Sequence, residues 1–402
     1  MGNRTQVTPL LLFVAYVSFI VIGLPDGMLG VAWPSMRMDF GQPLGALGIL
    51  VTSFTVGYLL TSFTIGALVL RFGYGSVLVA SGLSMALGAA GMGLSPLWIP
   101  VLLGGVLLGA GVGLLDAGLN AYGAHHFNSR QLNWLHAGFG VGATLGPMIM
   151  SGFIQSAPGW RGGYATVAAV AAATAFIFLA TLRRWNEAPR GAADGGDSTS
   201  ARPGRSASLR DLGDPVVIGS ALLFVLYAGV EVTAGQWAYS LFTIERGVDA
   251  ARAARWVSVY WGALTVGRIV FGFIADRVGP IRLLRLTMAS AFVGVALLWI
   301  GQPVMLGAAG LLILGFSLAP MFPLLIGETP RRVGRQRASF VVGLQMGSSS
   351  IGVMLLAGGM GILVDAIGLT MVVPGIVTIL SIFVLTHELV LLAGRRQQRQ
   401  KA

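Results

Sequence analysis

The sequence predicts an all-α integral membrane protein with twelve transmembrane helices in two pseudo-symmetric six-helix bundles. Three observations predict it. Of 402 residues, 55% are hydrophobic and only 10% charged, and the mean hydropathy of +0.80 lies far above that of water-soluble globular chains. The apolar residues gather in runs of roughly 20 or more, the length that a bilayer core of about 30 Å demands. One long polar segment, residues 183–213, separates two apolar halves.

Charges, prolines and Gly-polar clusters cut the first half into spans near 9–33, 44–69, 75–94, 97–123, 131–153 and 163–182. Arg37 closes the first, Arg71 and Gly73 part the second from the third, and Ser95-Pro96 ends the third. Arg130 precedes the fifth, and Pro158 to Arg161 the sixth. The same rule places the others near 214–242, 253–275, 281–300, 304–327, 339–363 and 369–392, between Asp214 and Arg395. The first is too long for a cleaved signal and no A-x-A site follows it, so it is expected to stay in the mature chain.

Residues 183–213, rich in Gly, Ala, Ser, Asp and Arg, read as a flexible linker. The expected domains are therefore a bundle over 1–182, the linker 183–213, a bundle over 214–394 and a basic tail over 395–402. With the N-terminus in the cytoplasm, 20 basic residues fall inside and five outside (Arg37, Arg161, Arg246, Arg252, Arg255), while Arg268 lies in a span. That split follows the positive-inside rule, so both termini and the linker are expected in the cytoplasm, with a bacterial inner membrane as the setting. The net charge of +11 is thereby spread over loops, and no nucleic acid is expected as a partner. The absence of Cys excludes disulfides and thiolate metal sites. No G-x-x-x-x-G-K-[ST] run is present for an ATP-driven pump.

Ionisable residues inside spans mark function, because each costs about 2.5–3.5 kcal/mol unless it faces a cavity or a partner. Asp26 lies in Gly23-Leu-Pro25-Asp26-Gly27, where Pro25 and the glycines are expected to break the first helix near the carboxylate; the bland reading puts Asp26 at the outer interface. Asp116 lies one turn before Asn120 and on the same face. Glu231 shares a face with Tyr227, and Gln236 and Trp237 join that face only if Gly235 unwinds the helix. Arg268 either faces inward with Trp261 or snorkels to the cytoplasmic side. Gln345, Ser349 and Gly352 align at helical spacing, and serines there often bond to their own backbone. His125 and His126 fall in a loop, His387 ends the last span, and His136 opens the fifth; no metal set is expected.

Gly66-Ala-Leu-Val-Leu-Arg71-Phe-Gly73 parallels Gly272-Phe-Ile-Ala-Asp276-Arg277-Val-Gly279, a sequence echo between the halves. The pair resembles the G-x-x-x-D-R-x-G loop signature of the major facilitator superfamily, in which Gly allows helices to approach and the Asp-Arg pair forms a cytoplasmic gate. The second copy is intact, whereas Leu70 replaces the acid in the first. Arg71, Arg268, Asp276 and Arg277 are the expected gate residues.

Leu24-Pro-Asp26-Gly, Leu115-Asp116-Ala-Gly-Leu-Asn120-Ala-Tyr122, Asn133-Trp134-Leu-His136, Gly229-Val-Glu231-Val-Thr-Ala-Gly-Gln-Trp237 and Tyr260-Trp261-Gly-Ala-Leu-Thr-Val-Gly267-Arg268 further resemble the fucose:proton symporter family and its glucose-transporting relatives. The resemblance implies proton coupling through Asp26 and Asp116, with Glu231 an additional acid. It implies no bound cofactor. The expected substrate contacts are Asn120, Asn133, His136, Tyr227, Gln236, Trp237, Trp261 and Gln345, aromatic rings to stack on a sugar ring and amides to bond its hydroxyls. The leading expectation is a monomeric secondary transporter, not an enzyme, that moves a small neutral sugar with protons. Gly142-Ala-Thr-Leu-Gly146-Pro147 resembles part of an antiporter signature and supports a second reading, proton-driven efflux of amphipathic or cationic compounds. A membrane hydrolase built on Asp26 and Asp116 would leave the two-bundle layout unexplained.

Overall fold

The computed structural model describes residues 8–186 and 213–401, and among these it contains no strand. Eleven helical segments are long and apolar enough to cross a membrane. One of them, Leu44–Leu94, has 51 residues, about 75 Å of helix and more than twice a bilayer core. Gly73 divides it, with φ 78° and ψ 161°, a conformation that side-chain-bearing residues avoid. The twelve expected spans are therefore present. They are α1 (Pro9–Asp39), α2 (47–72), α3 (74–94), α4 (Trp98–His126), α5 (Ser129–Ile154), α6 (Trp160–Asn186), α7 (Pro215–Ser240), α8 (Ala250–Val278), α9 (Pro280–Ile300), α10 (Val304–Val333), α11 (Gln336–Ile367) and α12 (Leu369–Arg395).

Several helices outrun their expected ends, because polar residues in a last turn find local partners. In α1 the helix continues past Arg37 to Asp39, whose carboxylate accepts from Trp160 Nε1 at 2.8 Å. His126 belongs to α4 rather than to a loop and stacks on Tyr122 with ring centroids 4.0 Å apart. Residues 183–186 extend α6, where Trp185 is buried and Asn186 Oδ1 accepts from Gly75 N at 2.9 Å. The rest of the expected linker, 187–212, and the last residue of the basic tail lie outside the described residues.

The described residues form two compact units, 8–186 with 242–262, and 213–241 with 263–401. In the first, α1 packs on α5, α2 and α3 on α4, and α3 on α6. Water-driven burial does not hold helices together in lipid, so close van der Waals approach between small residues does. Gly23 and Gly27 of α1 meet Gly142 and Gly146 of α5; a Cβ on Gly146 would stand 2.7 Å from the Leu24 carbonyl oxygen. Packing thus accounts for the glycines of the Gly142–Pro147 run. It also bears on Pro25, through which α1 passes as a continuous helix. The expected break is absent: proline removes one N–H, a loss that a membrane helix packed on a neighbour tolerates.

In the second unit α7 packs on α11 and α12, and α9 on α10. Here several details of the first unit return. Gly88 and Gly104 cross where α3 meets α4, and Gly294 and Gly310 cross where α9 meets α10, each pair 206 positions after its counterpart. Gly279 repeats Gly73 at the same interval, with φ 87° against 78°. Gly352 of α11 abuts the Val225 carbonyl of α7 as Gly142 of α5 abuts that of Ile20. Gly66 and Gly272 depart from expectation, since a Cβ at either would meet nothing within 4 Å, and neither brings helices together.

Candidate functional site

Each unit carries one acid-centred cluster near the middle of its helices. In the first, Asp26 is half-buried in α1, roughly 20 Å from the Asp39 end at 1.5 Å per residue. Asp116 of α4 accepts hydrogen bonds at both oxygens, from Tyr58 Oη of α2 at 2.6 Å and from Asn120 Nδ2 at 2.8 Å. Ser62 lies one turn after Tyr58 on α2, on the same face. Glycine sets this geometry: a Cβ on Gly113, one turn before Asp116, would stand 2.6 Å from the Tyr58 carbonyl oxygen. Thr61 Oγ1 completes the crossing, donating to the Ala110 carbonyl at 3.0 Å.

Asn133 and His136 of α5 are exposed, and His136 meets Phe19 edge-on with ring centroids 5.5 Å apart. Trp261 falls in the 242–262 segment and is buried against Tyr260.

In the second unit Arg268 Nη2 of α8 lies 3.4 Å from Glu231 Oε1 of α7, and the Tyr227 hydroxyl sits beside both. Arg268 lies ten residues, about 15 Å, before the Val278 end of its helix. The other ion pairs among the described residues, such as Arg285–Glu388 and Arg337–Asp214, lie near helix ends. Because α7 is regular through Gly235, Gln236 and Trp237 do not share the face of Glu231. Trp237 is fully buried and donates to the Ala357 carbonyl at 3.1 Å. Gln345 Oε1 accepts from Thr329 Oγ1 at 3.0 Å, both side chains fully buried, while Ser349 bonds back to Met346 O as expected. Arg71, Asp276 and Arg277 are exposed, and the Arg71 guanidinium lies over Phe72.

The structure thus joins Asp116 with Asn120, and Glu231 with Tyr227 and Arg268. Tyr58, Ser62 and Thr329 were missed by sequence reasoning. A tyrosine among the apolar residues of α2 carries no signal by itself, although its place directly after Gly57 puts it at a close helix crossing. Chemically, the carboxylates, amides and phenols suit a hydroxyl-bearing solute or an exchangeable proton.

The model of the Major Facilitator Superfamily matches residues 15–357. The chain belongs to that superfamily. As a Major Facilitator Superfamily protein it is a multi-pass membrane transporter. Among curated proteins it is 25% identical over 197 residues to Bypass of stop codon protein 6 of Saccharomyces cerevisiae, an alignment covering 43% of this chain and 38% of the yeast protein. It is 25% identical over 240 residues to the glucose/mannose transporter GlcP of Bacillus subtilis, covering 58% of this chain and 57% of GlcP. The matches therefore span about four-tenths and under six-tenths of these relatives. Among solved structures, a mutant of the nucleoside transporter NupG superposes with a TM-score of 0.74 at 14% identity, covering 96% of this chain and 99% of that one. An inward-facing, unoccupied bacterial homologue of the human lysosomal transporter Spinster gives 0.77 at 15% identity, covering 98% of both. At those identities the likeness is one of fold.

Proposed function

We propose that this transporter is a proton-coupled symporter of a small neutral sugar, working by alternating access between bundles at 1–182 and 214–394. The observation that carries the reading is the Tyr58–Asp116–Asn120 constellation at mid-helix depth. A neutral polyol needs convergent donors and acceptors, and an acid held among them supplies a proton site. The partial match to a glucose/mannose transporter supports the substrate class. Asp26 and Asp116 are assigned to proton coupling, with Glu231 available as a third acid. Asn120, Tyr227 and Gln345 are assigned to hydroxyl contacts. Asn133, His136, Gln236, Trp237 and Trp261 stay in the proposed set as residues beside the path. The gate is assigned to Asp276 and Arg277, with Arg71 in the weaker copy. The setting is a bacterial inner membrane, with cytoplasmic termini and a monomeric carrier.

The test is uptake of a panel of labelled hexoses, pentoses and nucleosides into proteoliposomes, with and without an inward proton gradient. Gradient-driven accumulation of one neutral sugar is the expected result. Uptake of no sugar, with pH-driven expulsion of a lipophilic cation instead, overturns it in favour of an efflux antiporter, the reading that three intramembrane acids favour second.

A further inference from the structure

Hydrogen by hydrogen, the first-unit cluster has a polarity. Asn120 Nδ2 carries two hydrogens and has two acceptors within reach, the Asp116 main-chain oxygen at 2.9 Å and Asp116 Oδ1 at 2.8 Å. The main-chain oxygen accepts whatever the charge on the carboxyl, which keeps Nδ2 turned inward and puts Oδ1 of the amide on the far side. No hydrogen bond from a described residue reaches that Oδ1. Tyr58 gives its single hydrogen to Asp116 Oδ2 at 2.6 Å, which leaves the phenol an oxygen that accepts. The neighbouring hydroxyl oxygen, Ser62 Oγ, is buried. Tyr58, Asp116 and Asn120 are all half-buried, so a solute can reach the atoms they still present. Those atoms offer lone pairs and no hydrogens.

We propose that this cluster selects its solute by the hydrogens the solute donates, with Asn120 Oδ1 and Tyr58 Oη accepting from hydroxyls of a polyol and offering nothing for those hydroxyls to accept. This rests on the sugar-symporter reading above and sharpens its substrate class. A solute group that has lone pairs but no hydrogen, such as a carboxylate, an ether or a fluorine, meets only lone pairs here and is left unpaired. A hydroxyl or an amine fits. Asp116 thereby has a part besides proton coupling: it turns the Asn120 and Tyr58 hydrogens inward, making acceptors of two side chains that could otherwise serve either way. In that part it is a positioning residue, acting through Asn120 and Tyr58.

The probes are D-glucose and D-mannose with their deoxy, deoxyfluoro and aminodeoxy analogues, competed against labelled sugar on the purified full-length carrier. The hydroxyls that face the cluster are those whose removal weakens binding by about tenfold in the wild type and by less than about threefold in Asn120→Ala. At those positions fluorine, which keeps the size of a hydroxyl oxygen but carries no hydrogen, should restore nothing and leave the analogue within about twofold of the deoxy sugar. An amino group there, which can donate, should keep most of the parent's affinity. Tyr58→Phe identifies the facing hydroxyls in the same way if Asn120→Ala fails to fold. Affinity recovered by fluorine, or no hydroxyl coupled to either variant, overturns this inference and leaves the symporter reading standing. Coupled hydroxyls that fluorine does not rescue, in a carrier whose accumulation ignores pH, uphold it and overturn the proton coupling alone. A carrier that binds neither sugar overturns the substrate class and this inference with it.

Discussion

Arg268 of α8 reaches Glu231 of α7 at 3.4 Å, so a guanidinium and a carboxylate near the middles of adjacent helices balance each other inside one unit. Both are partly exposed, at 29% and 12% of their side chains, so the pair is neither a surface contact nor a sealed core one. An uncompensated charge at this depth is expensive, whereas removing both charges together is close to neutral.

Arg268→Gln is therefore expected to lower stability by about 1–3 kcal/mol, discounted for exposure, and Glu231→Gln by a similar amount. The double variant Glu231→Gln/Arg268→Gln should recover most of the loss. Thermal unfolding in detergent measures it, and additive losses in the double variant would show that the two groups do not compensate each other.

Asp26→Asn fixes a neutral amide where a coupling acid would cycle. Counterflow exchange of labelled substrate should survive, because the loaded form reorients without releasing a proton. Accumulation against a gradient should fall to background at any imposed pH difference. Full accumulation in this variant would move the coupling away from Asp26.

Gly142→Val pushes a side chain into the Ile20 carbonyl of α1, while Gly152 has nothing within 4 Å of an added Cβ. The first substitution should cost about 1–3 kcal/mol or prevent folding, and Gly152→Ala should be silent. Yield and monodispersity on size exclusion read the difference.

Asp214 caps α7 by accepting from Val216 N at 2.9 Å and binds Arg337 at 3.0 Å. Asp214→Ala should cost about 1–2 kcal/mol and Asp214→Asn less, since the amide oxygen still caps. Equal melting temperatures for the two would mean that the Arg337 contact, and not the cap, carries the stabilisation.

Among the proposed gate residues only the second loop copy carries an acid. Asp276→Asn should slow transport with substrate affinity unchanged, and Leu70→Asn should alter neither by more than about twofold, because no charge-assisted hydrogen bond is lost there. Initial rates and binding constants for the two variants decide it.

The spans were legible because lipid demands one property, apolarity over roughly 20 residues, that sequence displays directly. Their ends were less so: Asp39 stays helical through a partner, Trp160, that lies 121 positions away. Asp116 and Asn120 were readable as a pair because helical spacing alone brings them together. Tyr58 and the Glu231–Arg268 pair depend on which faces of two helices meet, and glycine contacts such as Gly113 against Tyr58 set that register. Pro25 misled for a related reason, since what a proline does to a membrane helix depends on its neighbours.

The crossing of Gly142 on Ile20 and of Gly352 on Val225 fixes corresponding steps on the first helix of each unit. Asp26 lies six residues beyond Ile20 and Glu231 six beyond Val225, so each acid takes the same step from its crossing. At the interval of 206 that relates Gly88 to Gly294, Ser62 answers to Arg268. An acid stands at the corresponding step of each half, while the position that answers Ser62 of α2 is a cation, Arg268, on α8. A scaffold that repeats in its backbone is therefore unlike in charge from one half to the other, so a substitution in one half has no mirror image in the second.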